Sequence, residues 1–425
     1  MGGEYSSRIV DGELDELMRE VSAISIEGAK GVGKTQTARQ RAKTTFELDQ
    51  EATRQLVAAD PRRLVSGSPP VLVDEWQRWP ESWDLVRRAV DRDRRAGNFL
   101  LTGSSSPERP GTHSGAGRIV SVRMHPLSLA ERSLEKPSVS LAELLKGKPL
   151  QLEGKSRVGL EIYTDEICTS GFPGLRSLRG RSLRAELSGY VDRIVDNDFP
   201  DLGRPLRNPG VFRRWFQAYA AAIATTTGYE TIRDAATPGE GDKPARSTTG
   251  PYREILERLW VIESIPAWLP TQNHLVRLAA KSKHSLVDPA LAVSILGLGR
   301  DALLSADPVS EFTPKGGAYL GQLFESLVAQ SVRVYAQASE ARVSHLRTLR
   351  GDREVDLIVE RADRKALAIE VKMTQKVDEQ NIKHLHWLKS SLGKDCLGCV
   401  IITTGTEAYT RKDGVMVVPA ALLGP

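Results

Sequence analysis

Eight consecutive residues, Gly28, Ala29, Lys30, Gly31, Val32, Gly33, Lys34 and Thr35, have the types and spacing that a phosphate cradle needs. They match GxxxxGK followed by a hydroxyl, and Gln36 continues them into a helix candidate. Glycines let the backbone wrap close to phosphate oxygens, and successive N–H groups donate to them. A helix opening near Gly33 adds the positive end of its dipole. Lys34 can bridge β- and γ-phosphates, and the Thr35 hydroxyl can complete a Mg²⁺ shell. The chemistry implied is binding of ATP with Mg²⁺, followed by hydrolysis.

Two further segments supply what hydrolysis would need. Val71-Leu72-Val73 is an apolar run that ends in Asp74 and Glu75. The first carboxylate can reach the metal and the second can polarise an attacking water. Asn98 to Thr102 is another apolar run ending in a hydroxyl. Thr102, or Ser104 behind it, can hold that water or sense the γ-phosphate.

A second constellation lies toward the C-terminus: Glu325, Asp356, Glu370 and Lys372. In Ala368-Ile369-Glu370-Val371-Lys372 the period of a strand puts Glu370 and Lys372 on one face. Asp356 on an adjacent strand can share Mg²⁺ with Glu370, with Glu325 offered from a helix. Lys372 would orient water or stabilise charge on a scissile phosphate. The alternative is a retained fold used only for binding, which does not cut.

Elements that could hold these groups follow from periodicity. Ser22–Ile26, Val71–Val73, Phe99–Thr102 and Ile119–Val122 read as strands. Thr35–Ala42 and Trp83–Arg95 read as helices, which together predict an α/β core with a parallel sheet. Ser104 to Gly117 reads as a loop. Helical periodicity dominates from about Gly171 to Gly299, with helices expected over Ser182–Asp198, Val211–Thr225 and Tyr252–Glu263. Thr237 to Gly250 reads as a polar connection. A second α/β unit is expected beyond it. Its helices are Leu320–Ala336 and Val377–Lys389, and its strands are Val343–Leu349, Glu354–Val359, Ala366–Lys372 and Cys399–Thr403. The expected division is 1–150, 151–305 and 306–425.

The ordered series is similar to a known group. The phosphate loop, Val73-Asp-Glu-Trp-Gln77, Leu100-Leu-Thr-Gly-Ser104, Gly115-Ala-Gly-Arg118 and Pro126-Leu-Ser-Leu-Ala-Glu131 are followed by Ser170-Gly-Phe-Pro173, Tyr190 to Asp198 and Val287-Asp-Pro-Ala-Leu-Ala292. Phe324-Glu-Ser-Leu-Val328 and the Glu354 to Lys372 region close it. This resembles the prokaryotic AAA-type ATPases with a C-terminal domain of unknown function, over nearly the whole chain. The resemblance implies a P-loop ATPase core, a helical, winged-helix-like middle and a PD-(D/E)XK nuclease-like terminus with Val355-Asp356 where the motif has Pro-Asp. It also places Arg118 in the block after the sensor strand. There an arginine can stabilise γ-phosphate charge from the same or a neighbouring chain, or can be a solvated or ion-paired side chain.

Composition narrows the partners. The chain has 425 residues, 40% of them hydrophobic, a net charge of +5 and three cysteines. That admits double-stranded DNA as a partner without requiring it, excludes a disulfide framework and points to a reducing, cytoplasmic compartment. No uninterrupted apolar run is long enough to span a membrane. Arg176, Arg179, Arg181 and Arg184, with Arg213 and Arg214, are either a phosphate-facing patch or a solvated helix face. Tyr252, Arg253 and Arg258 would face a DNA groove if their helix were a recognition helix. Cys396 and Cys399 read as strand chemistry, His384 and His386 as structural, and Trp76, Trp79 and Trp83 as packing groups. The leading reading is an ATP-dependent enzyme acting on nucleic acid. The rival is a nucleotide-gated regulator or interaction protein whose C-terminal unit binds and does not cut. Either reading admits a homo-oligomer, in which the arginine would act in trans. A small-molecule kinase is disfavoured because no compact lid follows the core.

Overall fold

The structure is a computed structural model describing residues 5–104, 115–202, 204–237, 239, 243–269, 280–305, 316–348 and 351–425. Most of the loop expected over Ser104 to Gly117 lies outside those residues. So do Leu349, part of Thr237–Gly250 and the start of the third expected part. The chain forms two compact units. The first is Met1–Pro126 with Phe172–Gly174 and Arg258–Trp260, and the second is the rest.

The first unit is a five-stranded parallel sheet. Its strands are β1 (Ala23–Glu27), β2 (Thr44–Glu47), β3 (Val71–Asp74), β4 (Phe99–Gly103) and β5 (Ile119–Arg123), in the order β2-β3-β4-β1-β5. The four expected strands are all present and each ends one residue later than expected, β1 also starting one residue later. β2 escapes sequence reading because it is a short edge strand, half-exposed and without an apolar run. Both faces of the sheet are covered, as a parallel sheet requires. Val71, Val73, Ala23, Phe99 and Leu101 join Trp76, Trp83, Val86 and Val90 in one core. Leu72, Ile24, Ile26 and Leu100 are buried on the opposite side. The helix Glu81–Arg92 buries Trp83, Val86 and Val90 at helical spacing. Trp76 and Trp83 pack ring against ring at 4.7 Å.

The second unit centres on a seven-stranded mixed sheet. In chain order this unit contains β6 (Val139–Ser140), β7 (Glu153–Lys155), β8 (Arg342–Arg347), β9 (Glu354–Glu360), β10 (Ala366–Lys372), β11 (Cys396–Thr403), β12 (Glu407–Thr410), β13 (Met416–Pro419) and β14 (Leu423–Gly424). The large sheet runs β7-β12-β13-β11-β10-β9-β8, and β6 pairs with β14. β10 and β11 are parallel, whereas β9 is antiparallel to β10. The helix Glu379–Leu392 lays Ile382, Leu385 and Leu388 on Ala366, Ala368, Cys399 and Ile401 of the sheet. The helix Gly316–Ala338 carries Glu325. The stretch Leu127–Gly171 already belongs to this unit: Leu129 N–H donates to Ser331 Oγ at 3.0 Å, and Arg132 is buried against Glu166 at 3.1 Å.

The helical segment of this unit has an aromatic nucleus of Phe199, Phe212, Trp215, Phe216, Tyr219 and Tyr252. The helix expected over Tyr252–Glu263 instead spans Arg246–Arg258. Gly250-Pro251 reads as a break in sequence, but the proline lies inside the helix. The far end stops early because Trp260 turns into the left-handed region at φ 60°. The chain then runs extended, bridging Ile262 to Leu286 and Ile265 to Lys283. Tyr252 therefore faces no groove: it is 6% exposed, with the rings of Phe212 and Trp215 at 5.2 and 5.9 Å. Among the described residues, no helix is long and apolar enough to cross a membrane.

Candidate functional site

The phosphate loop joins the C-terminal end of β1 to the helix Lys34–Arg39. Three glycines are required by geometry, Gly31 among them at φ 82°. Gly33 has φ 104°, a left-handed backbone that side chains resist, and a Cβ on Gly28 would stand 2.4 Å from the Met124 carbonyl oxygen. Lys34 is 5% exposed, and its Nζ donates to the carbonyls of Gly28 at 2.7 Å and Ala29 at 2.9 Å. Burial pushes this ammonium down to about 8; Arg123 and Lys30 act the same way, while Glu75 and Asp74 oppose. Arg8 braces the loop from outside the motif. Its guanidinium donates to Val32 O at 2.9 Å and His125 O at 2.8 Å.

Strand order brings the other groups in. β4 lies between β1 and β3, so Thr102 stands between the loop and Asp74. Asp74 Oδ1 accepts from Thr35 Oγ1 at 2.7 Å and also from Thr102 Oγ1. Glu75 follows at φ 53°, a strained conformation for a residue with a side chain. Its Oε2 accepts from Ser104 Oγ at 3.2 Å and from Gln77 Nε2, which also reaches Ser104 at 3.1 Å. Gln77 thus positions the carboxylate, a role that only its place in Val73-Asp-Glu-Trp-Gln77 hints at. A hydroxyl and a carboxylate converging within 3 Å of each other form the hard-oxygen donor set that suits Mg²⁺.

Arg118 is not part of this cluster. It precedes β5, whose first residue pairs with Ala23 while Arg123 pairs with Glu27 beside the loop. Four strand residues, roughly 13 Å, separate the two levels. Arg118 Nε is tied to Asp91 Oδ1 at 2.9 Å, and that guanidinium holds the Asp91 carboxyl below its usual range. It lies at the wrong end of the strand to meet phosphate held by its own chain.

In the second unit, the four expected residues Glu325, Asp356, Glu370 and Lys372 come together around an ammonium that sequence reading misses. Lys283 is fully buried, with Nζ 2.6 Å from Glu325 Oε1 and 3.4 Å from both Glu354 Oε1 and Asp356 Oδ1. Lys372 Nζ is 2.6 Å from Glu370 and 3.6 Å from Asp356. Burial, then the neighbouring Asp356 charge, pushes Glu325 and Glu370 up to about 8. Burial also opposes ionisation of Asp356, but Lys283, Lys372 and the Val371 N–H outweigh it and hold that carboxyl low. Burial and Lys283 lower His345 to about 4; its Nε2 lies 3.0 Å from Lys281 O.

The remaining candidates separate. Arg176 is bonded to Glu166 at 2.7 Å and Arg213 to Asp192 at 2.7 Å, whereas Arg179, Arg181 and Arg184 are exposed. Arg253 lies over the Tyr229 ring at 4.9 Å. Cys399 is buried on β11 beneath the helix Glu379–Leu392. Among the described residues, Glu379, His386 and Asp413 are the one set of three His, Cys, Asp or Glu side chains grouped closely enough to share a metal, but Arg411 already pairs with Glu379 at 2.6 Å and Asp413 at 3.1 Å. Asp288 explains two motifs at once. Its buried carboxylate caps the helix Pro289–Ile295 and accepts from Ser170 Oγ at 3.0 Å and Gly171 N at 2.6 Å.

Three family models match in succession: an AAA domain over residues 20–133, a domain of unknown function (DUF8612) over 160–302 and another (DUF4143) over 320–423. Uncharacterized proteins of Mycobacterium tuberculosis (Rv2008c) and Mycobacterium bovis (Mb2031c) are each 23% identical over 413 residues, covering 96% of this chain and 82% of the relative. Among solved structures, the Walker-type ATPase PABY2304 of Pyrococcus abyssi is similar with a TM-score of 0.39 and 15% identity, over 67% of this chain and 94% of that one.

Proposed function

We infer that this AAA-type P-loop ATPase, whose chain carries two further domains of unknown function, hydrolyses ATP with Mg²⁺ and acts on nucleic acid. The observation that supports hydrolysis best is the meeting of Thr35 and Thr102 on Asp74, with Glu75 held beside them by Gln77 and Ser104. Thr35 and Asp74 would hold the metal, which when bound neutralises phosphate charge. Lys34 and the loop N–H groups from Ala29 to Gln36 bind the phosphates. Glu75 takes the proton of the attacking water, which Thr102 helps to place. Phosphate release by wild type, lost in Lys34→Ala, tests this; an inert wild type in millimolar Mg²⁺ overturns it.

Action on double-stranded DNA is supported by the net charge of +5 and by the exposed Arg179, Arg181 and Arg184 around the start of the helix Gly180–Arg193. Retention on DNA should fall with salt and with charge reversal at those three positions, at unchanged ATP affinity. We assign the nucleotide chemistry to residues 1–150, the helical contacts to 151–305 and the carboxylate cluster to 306–425. Arg118, tied at the far end of β5, could serve only a neighbouring chain of a homo-oligomer.

A second reading concerns the carboxylate cluster and is favoured by Lys283. An ammonium already stands among Glu325, Glu354 and Asp356, on the side from which Glu325 would join Asp356 on a shared divalent ion. On this reading the C-terminal domain binds without cutting, and the protein is a nucleotide-gated regulator. Mg²⁺-dependent cleavage of DNA by wild type, lost in Lys372→Ala, would instead establish the nuclease.

A further inference from the structure

The nucleotide site has a cation that neither the loop motif nor the arginine block contains. Arg123 ends β5 level with Glu27, the residue before the loop. Its Nη1 lies 3.4 Å from where a Cβ on Gly28 would stand. Its guanidinium is stacked 3.9 Å over the ring of Trp260. Trp260 itself is held at φ 60°, a conformation that a bulky side chain adopts only when its surroundings enforce it. The indole is therefore presented to Arg123 at a backbone cost.

Stacking fixes the plane of a guanidinium and leaves its N–H groups donating within that plane, the geometry that suits phosphate oxygens. Like charges crowded beside a glycine loop repel until an anion lies between them, and Arg123 is close enough to act on Lys34 electrostatically. We propose that Arg123, aligned by Trp260, contacts the phosphate chain of a nucleotide bound to the same chain, as the in-cis arginine of this site. The inference rests on the phosphate-loop reading of Gly28 to Gln36. Arg123 is a phosphate ligand here and Trp260 a positioning residue.

Binding measurements separate the two. Wild type should bind ATP, and inorganic tripolyphosphate should compete, showing that the contact is to phosphate and not to the base. Arg123→Ala should weaken both ligands at least tenfold, and Arg123→Lys, which keeps charge but loses the planar fork, should fall between. Trp260→Phe should weaken them less, and should remove part of the tryptophan fluorescence change that ATP causes in wild type. Should Arg123→Ala lose its cooperative melting transition, Arg123→Gln and Arg123→Lys decide. Variants that melt like wild type and bind both ligands within twofold of it overturn the proposal while leaving the loop assignment intact. Failure of wild type itself to bind ATP overturns the loop assignment, and the proposal with it.

Discussion

Raising the pH should weaken ATP binding through Lys34. In the free protein, burial pushes this ammonium down to about 8. Phosphate oxygens accepting from Nζ favour the charged form and return the pKa toward the ordinary lysine range. Binding then takes up a proton wherever the free protein has lost one, so the sign is set. Affinity is flat below about pH 8 and falls about tenfold per unit above it. From about pH 7.5 to about pH 9.5 the dissociation constant should rise about 25-fold, or ~1.9 kcal/mol. At about pH 9, each ATP bound should take up about 0.9 proton. Calorimetry in buffers of different ionisation enthalpy reads both quantities, with EDTA present so that nucleotide enters without a cation. Lys34→Arg stays charged throughout and should bind more weakly but without the slope. Constant affinity across this range with no proton uptake by wild type would refute the placement of a buried, depressed ammonium against the phosphates.

Glu75→Gln should keep ATP affinity within a few-fold and lower phosphate release roughly 10²-fold, because the water loses its base while Asp74 and Thr35 remain. Tyr252→Ala should cost about 3–5 kcal/mol in chemical denaturation, since the ring is buried among Phe199, Phe212 and Trp215; unchanged stability with lost DNA retention would restore it to a groove-facing role. Lys283→Met should destabilise the protein by about 3–5 kcal/mol by stranding buried carboxylates, with part recovered in millimolar Mn²⁺. A melting temperature that Mn²⁺ raises in wild type as much as in the variant would show that the ammonium does not fill the cation's place.

What could be read from sequence divides along the range of the forces involved. The phosphate loop is local chemistry: glycine geometry, Lys34 and Thr35 all fall within eight residues and must be contiguous to work. Asp74, Glu75 and Thr102 were legible because each ends an apolar run, and in a parallel sheet such ends gather at one edge. The same rule separates Arg118 from Arg123. A strand that starts just after Arg118 puts that residue at the far edge and the last residue of the strand beside the loop, so strand direction, not proximity to a motif, decides which arginine can act. Lys283 follows no such rule. It meets Asp356 across 73 residues of chain, through an extended bridge after a helix that ends earlier than its periodicity suggests. Burying Glu325, Asp356 and Glu370 together demands positive charge, since isolated buried carboxylates are costly. Lys372 alone pairs with only two of them. The imbalance of three carboxylates against one lysine was therefore a signal already present in sequence, and it calls either for a metal ion or for a second ammonium. The structure supplies the ammonium, and that choice bears directly on whether the C-terminal domain can cut.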